Sequence, residues 1–312
     1  MKQGKIVVVM GGPSSEAEVS RRTGAAIVSA LESKGYAVEG MELDPPHFAE
    51  AIRKSDCAIV FNALHGRYGE DGVLQGTLDM LGIPYTGSGV LAAAVTMDKV
   101  MSKRVFLGAG ISTPRSETFH RFEFDAELPS RIRKAFSLPA VIKASSQGSS
   151  IGVAIVEKEE ELEAALKDAF RYDEEVLVEE FIRGKELTVA VWGDAREAQA
   201  FPVIEITTVS GRYDYASKYT KGASTHIIPA RIPSEVTERV QQLAVDAFRA
   251  CGCRGVARAD MMLGEDMTPY VIEINSMPGM TETSLVPDAG RAMGVEFPEL
   301  CERILEMAGY EK

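Results

Sequence analysis

Apolar positions along the chain follow two rhythms: short unbroken runs, and longer stretches in which apolar residues return every three or four positions. The first run, IVVVM at residues 6–10, is bounded by Gly11-Gly12-Pro13 and fits a parallel strand buried on both faces. SSEAEVSRRTGAAIVSALESKG then takes up helical spacing, with Ser14 or Ser15 the expected N-cap and Gly35 the stop. AVEGMEL and CAIVFNALH predict a second and a third strand, so the amino-terminal part reads as βαβ-rich. A helix is expected to begin near Val73, and another to run through Leu107 with Lys99 and Lys103 on it before Gly108 and Gly110 end it. After Ser112-Thr113-Pro114 the pattern changes, which puts a domain boundary near residues 100–113.

Beyond that boundary, LPAVIKASSQGSSIGVAIV reads as strand, small-residue loop, strand, and KEEELEAALKDAFRYDEE as a surface helix with a solvated acidic face. VLVEEFIRGKELTVAVWG gives two strands broken at Arg183-Gly184. Residues 207–226 show no period and are rich in Tyr, Ser, Gly and Lys, a composition suited to a lid over a charged ligand. Helices are expected over Ser234–Cys251, near 283–293 and over 297–307. Between them, GVARADMMLGEDMTPYVIEINSMPGM predicts two short strands. If they pair as a hairpin, the period of two places Arg258, Asp260, Glu273 and Asn275 on one face, and Val271 with the last two. Two carboxylates and a carboxamide are hard oxygen donors of the kind Mg²⁺ takes, although a solvated face with cross-strand charge pairs fits the same pattern.

Composition narrows the field. A chain of 312 residues has room for two or three domains, and its net charge of −12 argues against a general nucleic-acid binder. An anionic ligand must therefore be met by a few placed cations. No run suits a signal peptide or a membrane span, and Cys57, Cys251, Cys253 and Cys301 have no zinc spacing, so reduced thiols in a cytoplasmic protein are expected. Glu16 follows the first strand at the edge where open α/β sheets bind ligands, while its position also suits the helix dipole. His65 ends the third strand in a glycine-rich loop, and Gln147-Gly148-Ser149-Ser150 has the composition of a phosphate cradle or of a plain turn. GSGVLA at residues 87–92 matches the dinucleotide fingerprint in form only, since no acidic residue follows at the right distance.

Eight stretches taken together carry a resemblance: GGPSSEAEVS, NALHGRYGEDGVLQG, PYTGSG, MDK, VIKASSQGSSIGV, YDYASKYTKG, GVARADMML and EINSMPGMTETSLVP. In order and spacing they are similar to those of the D-alanine–D-alanine ligase family of ATP-grasp enzymes. The resemblance implies an α/β chain of ATP-grasp fold with an amino-terminal Rossmann-like (pre-ATP-grasp) parallel-sheet domain. It divides the chain into residues 1–98, which bind the first D-alanine, a central subdomain over 99–184, and a carboxyl-terminal subdomain over 185–312 with a mobile loop at 207–226.

The implied activity is ATP-dependent formation of D-alanyl-D-alanine through an acyl phosphate, for peptidoglycan precursors, by a cytoplasmic homodimer. Lys99 and Lys143 would meet the phosphates of ATP, with Glu179 near adenine, Glu186 on ribose and Lys218 arriving from the loop. Asp260, Glu273 and Asn275 match the ligands of two Mg²⁺ (or Mn²⁺) ions. Glu16, His65, Ser149 and Tyr219 match positions around the first D-alanine, and Arg258, Gly279, Ser284 and Leu285 those around the second. Two departures stand out: Ala144-Ser145 where Pro-Ser is more usual, and Ser276-Met277 where Thr is common; neither removes a ligand. Tyr219 is kept where relatives making D-alanyl-D-lactate differ, which implies a dipeptide product. The nearest rival is another ATP-grasp carboxylate–amine ligase with a different acceptor; a nucleotide-binding regulator without turnover is a more distant one.

Overall fold

The computed structural model describes residues 4–148, 151–208, 223–281 and 284–310. β1 (Lys5–Met10) lies between β2 (Ala37–Glu42) and β3 (Cys57–Asn62) in a parallel sheet of order β2-β1-β3, with α1 (Ala17–Ser33) and α2 (Phe48–Lys54) as the returns. The unbroken apolar run of β1 has a physical cause. Val7 and Val9 enter a core with Leu43, Phe48 and Leu74, while Ile6 and Val8 face a second core with Ile27, Leu31 and Ile304. That second core also holds Val256, Met280 and Leu285, so the parallel sheet and the carboxyl-terminal elements share one interior.

α1 corrects the expected cap. Glu16, not a serine, occupies the N-cap; the Ser14 hydroxyl instead accepts from the Glu16 N–H at 3.2 Å and donates to the His65 carbonyl at 2.8 Å. The serine is spent on joining the two loops at the carboxyl edge of the sheet. After α3 (Val73–Leu81), the helix expected through Leu107 is two helices, α4 (Val90–Met97) and α5 (Lys99–Gly108). Asp98 between them is extended, and its carboxylate accepts from the Met101 N–H at 3.0 Å to begin α5.

A second, antiparallel sheet contains β4 (Ser116–His120), β5 (Ala140–Ala144), β6 (Val153–Val156) and β7 (Glu175–Glu180) in the order β4-β7-β5-β6. α6 (Leu128–Ala135) and α7 (Leu162–Ala169) close its apolar face through Leu128, Ile132, Leu162 and Leu166. The third sheet has the order β11-β10-β8-β12-β13, with β9 (Gln199–Ala200) added on β8. Its other strands are β8 (Gly184–Gly193), β10 (Ile204–Thr208), β11 (Ser224–Ile227), β12 (Gly255–Gly264) and β13 (Pro269–Asn275). α8 (Ser234–Ala250) covers one face, and α9 (Leu285–Ala292) and α10 (Phe297–Glu306) end the chain. The stretch expected as a loop at 207–226 therefore has strand at both ends, with Thr207 paired to Thr225 and Thr208 to Ser224; its residues 209–222 lie outside the described ones.

Candidate active site

The β12–β13 hairpin forms as the sequence pattern predicts, with Arg258 directly across from Asn275 and Asp260 across from Glu273. Just past Asp260 the register jumps, so that Met261 faces Val271 and Ile272 is the extra residue of a bulge. The bulge reverses the alternation. Val271 is thereby turned into the core with Met261 and Ile274, which corrects its expected place beside Glu273 and Asn275. On the open face, the Arg258 guanidinium forks onto Asp260, and the Thr188 hydroxyl on β8 donates to Asp260 Oδ1 at 2.7 Å. Glu186 stands two residues along β8 from Thr188, on the same face and across from Met262.

A cation reaches this face from α5, and two more stand behind it on α5 and β5. Lys99 Nζ is 3.3 Å from Glu273 Oε2 and donates to the Gln147 carbonyl at 2.7 Å, which ties the small-residue turn after β5 to the hairpin. Ser145, the serine kept beside the departure at Ala144, donates through its hydroxyl to Asp98 at 2.8 Å. Behind it, the buried Glu179 carboxylate is shared: Lys103 Nζ lies 2.7 Å from one oxygen and Lys143 Nζ 2.5 Å from the other. Burial pushes the Glu179 carboxyl up, but the ammonium groups of Lys143 and Lys103 outweigh it and hold it below the usual carboxylate range.

The parallel sheet supplies the opposite wall. His65 Nε2 is 3.1 Å from the Thr23 hydroxyl, and its Nδ1 is 3.5 Å from Glu70, whose carboxyl is pushed up by burial against the pull of His65. Glu16 reaches across this edge. A Cβ at Gly66 would fall 2.9 Å from Glu16 Oε2, and one at Gly148 would fall 3.0 Å from it, so both loops come close because they lack side chains. Beyond the hairpin, the Ser284 hydroxyl accepts from the Thr281 N–H at 3.0 Å, and Gly279 leaves room for it: a Cβ there would sit 3.1 Å from Ser284 Oγ.

One cavity of about 510 Å³ unites these parts. Glu16 and His65 line it from the parallel sheet, Lys99 from α5, and Arg258, Glu273 and Asn275 from the hairpin. Gly279, Ser284 and Leu285 line it from the turn that follows. Among the described residues, Asp260, Lys143, Glu179 and Glu186 stand beyond this wall. Ser149, Lys218 and Tyr219 lie outside the described residues. Sequence reasoning gave no role to Glu70 and Arg22, which line the cavity, or to Lys103 beside it. For Lys103 a signal existed: it is one helical turn after Lys99, on the same side of α5.

The donors on the hairpin fit a hard divalent cation. Like charges directly opposite on paired strands repel, and Asp260 and Glu273 are so placed that a cation between or beside them offsets the cost; Arg258 and Lys99 supply that charge here. Asn275 would add its carboxamide oxygen, which here accepts from the Met277 N–H at 3.1 Å. Among the described residues no cluster of three or more His, Cys, Asp or Glu is arranged for a metal, and no helix is long and apolar enough to cross a membrane.

Comparison with known proteins gives the family. Residues 40–88 match the family model of the D-ala D-ala ligase N-terminus, and residues 105–306 that of the D-ala D-ala ligase C-terminus. The chain belongs to the D-alanine–D-alanine ligase family. The ligase of Desulforudis audaxviator is 49% identical over 97% of this chain and 98% of its own, and that of Moorella thermoacetica 48% over 97% and 99%. Among solved structures, the D-alanine–D-alanine ligase of Bacillus anthracis complexed with ATP matches with a TM-score of 0.83 and 33% identity, over 98% of this chain and 97% of that one. The VanG D-Ala:D-Ser ligase of Enterococcus faecalis matches with a TM-score of 0.83 and 31% identity, over 98% and 99%. The α/β architecture, a parallel three-stranded sheet followed by two antiparallel sheets, is that of these ligases.

Proposed function

We propose that this protein joins two D-alanine molecules into D-alanyl-D-alanine with ATP, through an acyl phosphate, as a step in making peptidoglycan precursors. The observation that carries the reading is the single cavity in which Glu16 and His65 from one sheet face Lys99, Arg258, Glu273 and Asn275 from the other elements. A carboxylate is a poor acyl donor. Transfer of the γ-phosphoryl group to the first D-alanine makes it a good one, and that transfer requires several phosphate oxygens to be neutralised together.

In this reading Lys99, Lys143 and Lys218 meet the phosphates, Glu186 the ribose, and Glu179 lies toward the adenine end. Asp260, Glu273 and Asn275 would hold two Mg²⁺ or Mn²⁺ ions, which supply charge neutralisation at the phosphate oxygens when bound. Glu16 takes the ammonium of the first D-alanine, with His65, Ser149 and Tyr219 around it. Ser284 and Leu285 place the second. Its amine, once deprotonated, attacks the acyl carbon; a C–N bond forms, and inorganic phosphate leaves after the oxyanion has been held by Arg258 and the N–H groups near Gly279. The division at residues 1–98, 99–184 and 185–312, a homodimeric assembly and a cytoplasmic setting belong to the same reading.

The test is phosphate release from ATP with D-alanine, with and without Mg²⁺, alongside product identification. D-alanyl-D-alanine formation that needs both is expected. The name of VanG makes D-serine the competing acceptor to include, with D-lactate and L-alanine. A preference for any of these over D-alanine would replace the reading with that of a ligase for a different acceptor, and ATP binding without ADP formation would leave only a nucleotide-binding protein.

A further inference from the structure

We propose that Lys103 is a positioning residue for nucleotide use: it keeps the Glu179 carboxylate when Lys143 turns from it to the phosphates of ATP. The inference rests on the ligase reading for the nucleotide and extends it to a residue to which that reading gives no role.

Lys103, Lys143 and Glu179 are 3%, 8% and 1% exposed, so two ammonium groups and one carboxylate share an interior site with one positive charge in surplus. A buried pair that balances is tolerable, whereas a surplus buried charge is costly unless something else needs it. The two lysines are held differently. Lys103 donates to the Thr113 hydroxyl at 2.5 Å and to the Pro114 carbonyl at 3.4 Å, and its ammonium stands 2.7 Å from Glu179 Oε1 as an ion pair. Thr113 in turn donates to the Val271 carbonyl at 2.7 Å, fixing Lys103 to the strand that carries Glu273 and Asn275. Lys143 is the more exposed of the two and is the last residue but one of β5, just before the turn of Gln147 and Gly148, which lines the cavity.

A lysine that moves to a phosphate leaves its former partner behind. Without Lys103, Glu179 would then be a buried carboxylate with no cation, so Lys143 would stay pinned to it. With Lys103 in place the move leaves a balanced pair. The charged groups that face the Lys103 ammonium are Glu179, Lys143 and Glu180. Burial first, and Lys143 with it, pull Lys103 down against the opposing pull of Glu179 and Glu180, and the balance leaves it at about 8. Departure of Lys143 removes its share of the downward pull, so Lys103 holds its proton more firmly in the nucleotide complex and binding near pH 8 takes up protons.

Two measurements decide. Lys103→Met is expected to raise the KM for ATP about tenfold or more while the KM for D-alanine stays within about twofold, since truncating one partner of a buried pair is costly. Separately, ATP with Mg²⁺ is titrated without D-alanine at pH 8 in buffers of different ionisation enthalpy. Net proton uptake is expected in the unaltered enzyme and not in Lys103→Arg, whose side chain stays charged. An unchanged KM for ATP in Lys103→Met, or proton uptake that is absent or equal in enzyme and Lys103→Arg, each overturns the proposal. The titration uses folded enzyme and remains decisive should Lys103→Met not fold. Failure of the unaltered enzyme to make dipeptide would overturn the ligase reading instead, and the titration would still judge Lys103.

Discussion

Arg258 grips Asp260 with both sides of its guanidinium, Nε on Oδ1 at 2.7 Å and Nη2 on Oδ2 at 2.6 Å. A planar fork on a carboxylate is among the stronger protein contacts, and it fixes both groups on the face that the cavity uses. Arg258 is therefore aimed by the same carboxylate that the ligase reading gives to the metal. Asp260→Asn removes the charge and keeps the shape, so it should loosen Arg258 and weaken metal binding together. The expected result is a fall in kcat by roughly 10²–10³-fold, the scale for losing one electrostatic contact to a transition state, with more Mg²⁺ needed for half-maximal rate. Turnover against Mg²⁺ concentration measures both, and a fully active variant would remove Asp260 from the metal set.

Glu16 offers a cleaner probe through its glycine neighbours. Gly66 has φ +71° and a Cβ there would lie 2.9 Å from Glu16 Oε2, so alanine brings backbone strain as well as a clash. Gly148 is outside the left-handed region, and alanine there meets only the far end of the Glu16 side chain at 3.0 Å. Gly148→Ala should leave the thermal midpoint almost unchanged and lower kcat/KM for D-alanine by about tenfold or more, since a small displacement of a positioning group is expensive in rate. Gly66→Ala should show the same kinetic loss plus about 1–3 kcal/mol of lost stability. Equal D-alanine kinetics in Gly148→Ala and the unaltered enzyme would count against Glu16 as the ammonium site.

Much of this was legible in the sequence because the physics was local. IVVVM is apolar at every position since β1 is covered on both faces, and the period of two in β12 and β13 is enough to bring Asp260 and Glu273 together. The failures were long-range or one residue wide. Ser14 looks like a cap until His65, far along the chain, claims its hydroxyl. A bulge at Ile272 has no signature in VIEIN, yet it turns Val271 to the other face. The two-lysine grip on Glu179 needs α5, β5 and β7 to meet, and no spacing rule announces that.

His226 and Asp288 tie two elements of the acceptor side. His226 Nδ1 on β11 is 2.5 Å from Asp288 Oδ2 in the first turn of α9, whose start carries Ser284 and Leu285. The contact holds that helix against the edge strand of the third sheet. Asp288→Asn keeps the shape and weakens the bond. Asp288 also takes Arg291 on its other oxygen, so the substitution weakens both contacts and should raise the KM of the second D-alanine about tenfold or more, with the KM for ATP unchanged. Initial-rate kinetics with each substrate varied in turn would show the split, and a parallel rise for ATP would indicate general damage instead.

The last prediction concerns acid stability and turns on Glu205 in β10. Its carboxylate, nearly buried, takes the Arg231 side chain at 2.7 and 3.2 Å, the Arg231 N–H at 3.0 Å and Lys185 Nζ at 2.9 Å. The bonds from Arg231 lower its pKa first, burial opposes them, and Lys185 adds to the fall, so that it drops from 4.5 to about 2. A depressed carboxyl stabilises the fold in full above its unfolded value and loses that contribution as pH falls toward the folded one. The window is therefore between pH 4.5 and about 2. At roughly 1.4 kcal/mol for each tenfold change in proton affinity, and with Arg231 largely exposed to solvent screening, the contribution is on the order of 2–3 kcal/mol. Glu205→Gln should lower the unfolding free energy measured by urea titration at pH 7 by that amount and flatten the loss of stability below pH 4.5 relative to the unaltered protein. Parallel stability curves for the two proteins through this window would show that Glu205 contributes nothing specific to acid unfolding.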